Sequence, residues 1–315
     1  MVNSTNRFVH HILLMEQIPE NFRCGYVAIV GAPNAGKSTL MNAILGMKIS
    51  IVTAKPQTTR KRVLGFHTGE THQMIFIDTP GLIKPKYVLQ ESMVNAAHAA
   101  IAEADACCYL VDAPRVLESG QAFPEGLFDL FRESGRPVIA VLNKVDIVRS
   151  KRELLPLMQR ALEAYPFAEV IPISALEGDA VPELLAALEK LLPPGPPLYP
   201  VDMLSDQPER FFVSEIVREK IFEQFRQEVP YATEVYIAEY REEEERDYIA
   251  AEIIVERESQ KRIIIGAQGA AIKRIGMAAR EDIEHFLGRR VFLDLHVRIR
   301  EGWRDNASWI RRFGY

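Results

Sequence analysis

The sequence is poor in cysteine, in long apolar runs and in any excess of charge, and each shortage narrows what the chain can be. Only three cysteines occur among 315 residues, Cys24, Cys107 and Cys108. An odd number with one adjacent pair excludes a disulfide framework and points to a reducing cytoplasm. No apolar run approaches the roughly 18 residues a membrane-spanning helix requires; the Ala-rich stretch from Ala96 is interrupted by His98 and Glu103. The short run 12–15 follows two histidines and precedes Glu16, without the basic start or small-residue cleavage site of a signal peptide. Residues 1–24 therefore read as an unstructured extension, with Met1 and Met15 both open as the start. Net charge is only −5, from 38 Lys+Arg and 43 Asp+Glu, which argues against a chain that coats nucleic acid over its whole surface. No internal repeat is visible.

What is there is a globular composition, 48% apolar and 26% charged, in a length that suits about two domains. The small net charge hides a split. Residues 1–200 carry 19 bases and 20 acids, residues 201–256 carry 6 and 16, and residues 257–315 carry 13 and 7. A local anion-binding surface is expected in the last segment. Unbroken apolar runs at 26–30, 74–77, 106–111, 138–142 and 170–173 suit buried strands of a mostly parallel sheet, and 63–66 should pair with 74–77 as a hairpin across Gly69. Helical patterns begin at Lys37, Leu89, Ser119, Arg152 and Val181. This alternation predicts a three-layer α/β domain over 25–192.

Pro193, Pro194, Pro196 and Pro197 mark a semi-rigid linker over 193–204. Beyond it the order changes to α-β-β-α-α-β, a smaller α+β domain over 205–315. Its elements are a helix over 208–228, strands over 233–240 and 248–255, a short helix to Ile265, a longer one to Leu287, and a strand over 291–299. The acidic turn 242–245 should be a solvated hairpin tip.

Short motifs carry the chemistry. Gly31-Ala32-Pro33-Asn34-Ala35-Gly36-Lys37-Ser38, followed by Thr39, fits GxxxxGK[ST] between a strand and a helix. In that setting backbone amides and the helix N-terminus face phosphates, Lys37 neutralises β/γ-phosphate charge and Ser38 ligates Mg²⁺. Asp78-Thr79-Pro80-Gly81, followed by Leu82, is alone an ordinary turn. Downstream of a phosphate loop, Asp78 can hold a Mg²⁺-bound water and the Gly81 amide can reach the γ-phosphate. Asn143-Lys144-Val145-Asp146 follows the run 138–142. A carboxylate at Asp146 can accept two hydrogen bonds from the N1 and exocyclic amine of guanine, which adenine does not offer, and this selects GTP over ATP. Ser174-Ala175-Leu176 would set a backbone amide near the guanine O6. In Pro56-Gln57-Thr58-Thr59-Arg60 a threonine should complete the Mg²⁺ shell only when the γ-phosphate is present; Thr59 is favoured over Thr58 by its place next to Arg60.

In order and spacing, GAPNAGKS, PQTTR, DTPGL and NKVD resemble the translation-factor-related GTPases, and PQTTR with DTPG resembles the Era branch. Many GTPases place a water-orienting Gln where this chain has Leu82, so slow intrinsic hydrolysis is expected, with Lys37, Asn34, Thr59 and Gly81 as the catalytic set. The resemblance also implies K⁺-stimulated hydrolysis through Asn34.

The second domain resembles a type II KH fold. Ile265-Gly266-Ala267-Gln268-Gly269 forms a GxxG loop between two helices, where glycines let a nucleic-acid backbone approach closely. Lys261, Arg262, Lys273, Arg274 and Arg280 cluster around it. A helix-turn-helix with a solvated basic face is the bland alternative. The end, with Gly302-Trp303-Arg304-Asp305 and Phe313-Gly314-Tyr315, resembles the Era tail. Trp303 reads as an aromatic plug of the KH core rather than a base-stacking residue. Cys107 and Cys108 read as packing residues, and His67, His72 and His285 show no ligand spacing.

The resemblance covers residues 25–315. It implies a Mg²⁺-dependent switch that binds GTP and GDP, hydrolyses GTP, and binds the 3′ region of 16S ribosomal RNA, assisting maturation of the small (30S) ribosomal subunit. It further implies a cytoplasmic monomer with peripheral association to the inner face of the cell membrane and no DNA partner. An RNA-binding module with a structural, poorly hydrolysing nucleotide site stays open as the alternative, kept alive by Leu82. A double-GTPase factor is excluded by the single phosphate loop.

Overall fold

The computed structural model describes residues 19–315 apart from 54, 121, 122 and 124. The expected start at Met1 or Met15 lies outside the described residues. The expected extension is shorter than 1–24, because β1 begins at Arg23 and Phe22 is already buried in the core.

In chain order the first domain runs β1 (Arg23–Gly31), α1 (Lys37–Leu45), β2 (Val63–Thr68), β3 (His72–Asp78), α2 (Val88–Glu103), β4 (Ala106–Asp112), α3 (Ala113–Ser119), α4 (Glu125–Ser134), β5 (Val138–Asn143), α5 (Leu154–Ala164), β6 (Glu169–Pro172) and α6 (Val181–Leu191). The strands form one six-stranded sheet in the order β2-β3-β1-β4-β5-β6. Only β2 is antiparallel to its neighbour. Side chains alternate across each strand, so Ala28, Val30, Cys107 and Tyr109 face one core with α4 and α5. Val27, Ile29, Cys108 and Leu110 face the other with α1 and α6. The adjacent cysteines thus pack on opposite faces, and burial raises both thiols, Cys107 to about 12. The helix expected from Ser119 is corrected: Asp112 caps a separate α3, accepting a hydrogen bond from the Arg115 amide, and Gly120 ends it in the left-handed region.

The second domain runs α7 (Glu209–Gln224), β7 (Glu234–Arg241), β8 (Asp247–Val255), α8 (Glu258–Ile265), α9 (Ala270–Leu287), β9 (Val291–Ile299) and α10 (Ala307–Arg312). Its sheet has the order β7-β8-β9, with β7 antiparallel and β9 parallel to β8. Ile249, Ala251 and Ile253 of β8 turn toward Val217 and Ile221 of α7 and Ile275 and Ile283 of α9.

The Pro-rich stretch is strapped to the first sheet rather than extended in solvent. Buried Gln73 accepts from the Leu198 and Tyr199 amides at 2.8 and 2.9 Å and donates to the Tyr199 carbonyl at 2.9 Å. The Tyr199 ring stacks on Phe66 at 4.2 Å, and Ser205 donates to the Leu64 carbonyl. Trp303 is fully buried, but its destination differs from the expected plug. It packs with Leu89 and Met93 of α2 as well as Ile254, Ile310 and Phe313, and its indole N–H donates to Ala232. It fills the seam between the two domains.

Candidate nucleotide site and nucleic-acid surface

The carboxyl ends of parallel strands gather the loops that follow them, which is where open α/β sheets bind ligands. Here β1, β3, β5 and β6 deliver 31–38, 78–82, 143–146 and 174–176 to one edge of the sheet. A cavity of about 380 Å³ opens there, lined by Pro33, Lys37, Ser38, Thr59, Gly81 and Lys144 among others.

Gly36 has φ of 100°, and a Cβ on it would lie 2.2 Å from Asn143 Nδ2. That close approach lets Asn143 brace the phosphate loop from below: it donates to the Ala35 carbonyl at 2.8 Å and accepts from the Ala175 amide at 2.9 Å. Lys37, at the start of α1, donates to the Gly31 and Ala32 carbonyls. Burial pulls its ammonium down to about 8, against the opposing pull of Asp78. A phosphate at this point supplies the negative charge that restores it.

Three oxygens converge beside Lys37. Ser38 Oγ lies 2.7 Å from Thr59 Oγ1 and donates to Asp78 Oδ2 at 3.0 Å. Asp78 is fully buried, and its other oxygen, Oδ1, has no hydrogen-bond partner among the described residues. Burial raises its carboxyl, opposed by Lys37 and the neighbouring hydroxyls. Hard oxygen donors with an unpartnered buried carboxylate oxygen fit Mg²⁺. The hydroxyl pair would supply direct ligands and Asp78 a water-held one. Thr59, rather than Thr58, is the threonine in reach. Gly81 rests against the backbone of Pro33, Asn34 sits exposed on the lip with φ of 64°, and half-buried Leu82 packs against the apolar core.

At the base end, Asp146 is exposed, and Ser174 donates to its Oδ1 at 2.6 Å. Its other oxygen has no partner among the described residues. Lys144, with φ of 68°, is held by Asp112 at 2.6 Å. Val145 is buried as a support, whereas Leu176 is 73% exposed and offers a loose apolar flank for the base.

The GxxG candidates cluster well apart, on α8 and α9. Gly266 has φ of 72°, and a Cβ there would meet Ala271 at 2.7 Å. Ala267, Gln268, Arg262, Lys273, Arg274 and Arg280 are exposed, while Lys261, Ile265 and Gly269 are half-buried. Among the described residues, Lys261, Lys273 and Arg274 have no carboxylate partner; Arg262 reaches Glu258 at 3.6 Å and Arg280 reaches Glu284 at 4.0 Å. Unneutralised cations around an open loop suit a polyanion. The acidic tip 242–245 is exposed as expected.

Between the two sites lies a set of contacts the motifs did not reveal. Arg60, 3% exposed, donates to the carbonyls of Pro230, Tyr231 and Thr233 and pairs with Glu234 at 3.3 Å. Lys61 meets Glu234 at 3.1 Å, Tyr315 donates to it at 2.6 Å, and Arg218 donates to the Thr58 carbonyl at 2.5 Å. Lys55 donates to the Phe222 and Phe225 carbonyls at the end of α7. Burial would raise the Glu234 carboxyl, but Lys61, Arg60 and Arg218 outweigh it and hold it low.

Comparison with known proteins places this architecture. A family model described as 50S ribosome-binding GTPase matches residues 26–144, and a KH domain model matches residues 228–304. The GTPase Era of Geotalea uraniireducens is 45% identical over 94% of this chain and 99% of its own length. The chain belongs to the Era family of GTPases. The Geobacter metallireducens member is 46% identical over 93% of this chain and 98% of its own. Two solved Era structures superpose with a TM-score of 0.89, each covering 93% of this chain and 99% of that one. One is an Aquifex aeolicus variant bound to GDP and aluminium fluoride, 41% identical. The other, 42% identical, is in complex with MgGDPNP and nucleotides 1506–1542 of 16S ribosomal RNA. The two-domain order of a GTPase followed by a KH domain is therefore the family's own.

Proposed function

We propose that this Era-family GTPase is a GTP-driven switch that reads the 3′ region of 16S ribosomal RNA with its KH domain and so assists maturation of the 30S subunit. The observation that carries the reading is the double attachment of segment 55–61. Thr59 bonds Ser38 beside Asp78, and the residues around it are bonded to α7 and β7 of the KH domain. Ser38, Thr59 and a water on Asp78 would hold Mg²⁺, which would offset phosphate charge. Lys37 and the phosphate-loop amides orient the triphosphate, Thr59 reports its γ-phosphate, and Arg60 and Arg218 carry that report to the KH domain. Loss of the γ-phosphate frees Thr59, loosens the interface and lets the RNA go. The division follows residues 22–192, 193–204 and 205–315.

Asn34 on the cavity lip supports a stimulatory K⁺ there, which equal turnover in K⁺ and Na⁺ would refute. Family resemblance adds a cytoplasmic monomer with peripheral membrane contact; no helix among the described residues is long and apolar enough to cross a membrane. The central test is the affinity for an RNA ending in the small-subunit 3′ sequence, measured with GDPNP and with GDP. Tighter binding with GDPNP is expected, and equal affinities would sink the switch.

A further inference from the structure

Leu82 leaves the position directly after Gly81 without a polar side chain, so a donor there to the charge that grows on the γ-phosphoryl oxygens during hydrolysis must come from another segment. The cavity wall contains one carboxamide that the reading above leaves without a role. Gln57 lines it together with Thr58, Thr59 and Gly81. Its φ of 62° places a long side chain in the left-handed region, a conformation that persists only where surroundings enforce it.

The surroundings also fix which way its amide faces. Gln90 of α2 is 5% exposed, and its Oε1 accepts from the Lys86 backbone N–H at 2.8 Å. A backbone N–H can only donate, so the Gln90 end that meets Gln57 is Nε2, which donates to Gln57 Oε1 at 3.1 Å. The acceptor end of Gln57 is thereby used. Its Nε2 has no partner among the described residues, and it belongs to a side chain on the cavity wall beside Thr59 and Gly81.

We propose that Gln57 is the catalytic carboxamide of this GTPase and Gln90 its positioning residue, Nε2 of Gln57 donating to a γ-phosphoryl oxygen as water attacks. The water oxygen forms a bond to the γ-phosphorus and the bond to the β–γ bridging oxygen breaks, leaving GDP and inorganic phosphate. The excess water proton passes to phosphate and solvent, so Gln57 neither gains nor loses one. A preorganised donor to developing charge is worth about a hundredfold or more in rate. The assignment rests on the GTPase reading and deepens it.

The test uses the full chain with Mg²⁺ and K⁺. Gln57→Met, similar in length and without a donor, is expected to lower kcat by about tenfold to a hundredfold. GDPNP affinity should stay within about twofold, and binding of GDP with aluminium fluoride should weaken in proportion to kcat. Gln90→Met should lower kcat by less, and the double variant should be no slower than Gln57→Met, because both changes remove one device. A Gln57→Met rate within twofold of the parent overturns the proposal. So does a loss of GDPNP affinity that matches the loss of rate, which would make Gln57 a binding or structural residue. A parent chain with no turnover overturns the GTPase reading itself, and this assignment with it.

Discussion

The two functional surfaces of this chain solve opposite electrostatic problems. At the nucleotide site Lys37, Ser38, Asp78 and Asn143 are buried, and apart from Asp78 Oδ1 their polar atoms are engaged with one another, the phosphate loop or the Ala175 amide. At the GxxG surface Arg262, Lys273, Arg274 and Arg280 stand in solvent, with weak carboxylate partners or none among the described residues. The first arrangement buys selectivity, because a wrong ligand leaves buried groups unpaired. The second gives attraction to any polyanion within a Debye length.

The sharpest way to separate the two surfaces is one change in each. Asp146→Asn removes an acceptor pair that guanine requires, and GTP affinity should fall on the order of a thousandfold or more. RNA affinity of the nucleotide-free protein should stay unchanged. Xanthosine triphosphate, which presents a carbonyl where guanine has an amine, should recover much of the loss. Gly269→Asp is the reciprocal: a Cβ there meets nothing within 4 Å, and φ is 77°, a region that Asp tolerates better than most residues. The variant should fold and bind GTP normally, yet lose RNA binding to below detection in a filter assay. Unchanged RNA affinity would remove the GxxG loop from the interface.

The same contrast explains what the sequence disclosed. The phosphate loop, Asp78 and Asp146 follow apolar runs, and each motif needs particular residue types at a strand end, so spacing alone located them. The strands were legible because β1, β4 and β5 are continuous apolar stretches, and α9 with β9 because their patterns are regular. The helix expected from Ser119 went wrong because Asp112 and Gly120 punctuate the chain more strongly than the apolar pattern does. Trp303 was read as buried, but nothing local says that it packs on Leu89 and Met93. The interface was hidden for the same reason. Arg60 and Glu234 lie 174 residues apart; Arg60 stands out only as the end of the PQTTR segment, and Glu234 as one acid among many.

That hidden seam gives the next effect in size. Glu234→Ala leaves Arg60 and Lys61 facing a buried gap, and removal of one partner of such a set costs about 3–5 kcal/mol. The melting temperature should drop by many degrees, while Glu239→Ala, exposed on the same strand, should stay within about 0.5 kcal/mol of the parent. The sign with pH follows from the lowered carboxyl. Glu234 contributes its stabilisation above the ordinary carboxylate range and loses it as pH falls through the depressed value. Acid titration should therefore destabilise the parent more than Glu234→Ala.

A smaller effect reports the buried state of Lys37. Burial pulls its ammonium down to about 8, and the negative charge of a bound triphosphate raises that value. Binding above pH 8 must then take up a proton. GTP affinity should be level below this point and fall by up to about tenfold per pH unit above it. Calorimetry at about pH 8.5 in buffers of different ionisation enthalpy should register the uptake. Release, or no exchange, would mean that Lys37 is already charged in the free site.

The smallest effect sharpens the comparison most finely, because it distinguishes cations within the RNA surface. Lys273 has no carboxylate partner among the described residues, whereas Arg262 is shared with Glu258 at 3.6 Å. If the surface works by displacing counterions, Lys273→Ala should weaken RNA binding several-fold and lower the salt slope by about 1. Arg262→Ala should lower the salt slope by less, since an arginine engaged by Glu258 has less of its charge to give to a phosphate. GTP affinity should move in neither variant, because the nucleotide site meets its phosphates with groups that are walled off from this surface. A steeper loss for Arg262 than for Lys273 would mean that Arg262 contacts the RNA by directed hydrogen bonds, and that the KH surface, like the nucleotide site, selects by geometry as well as by charge.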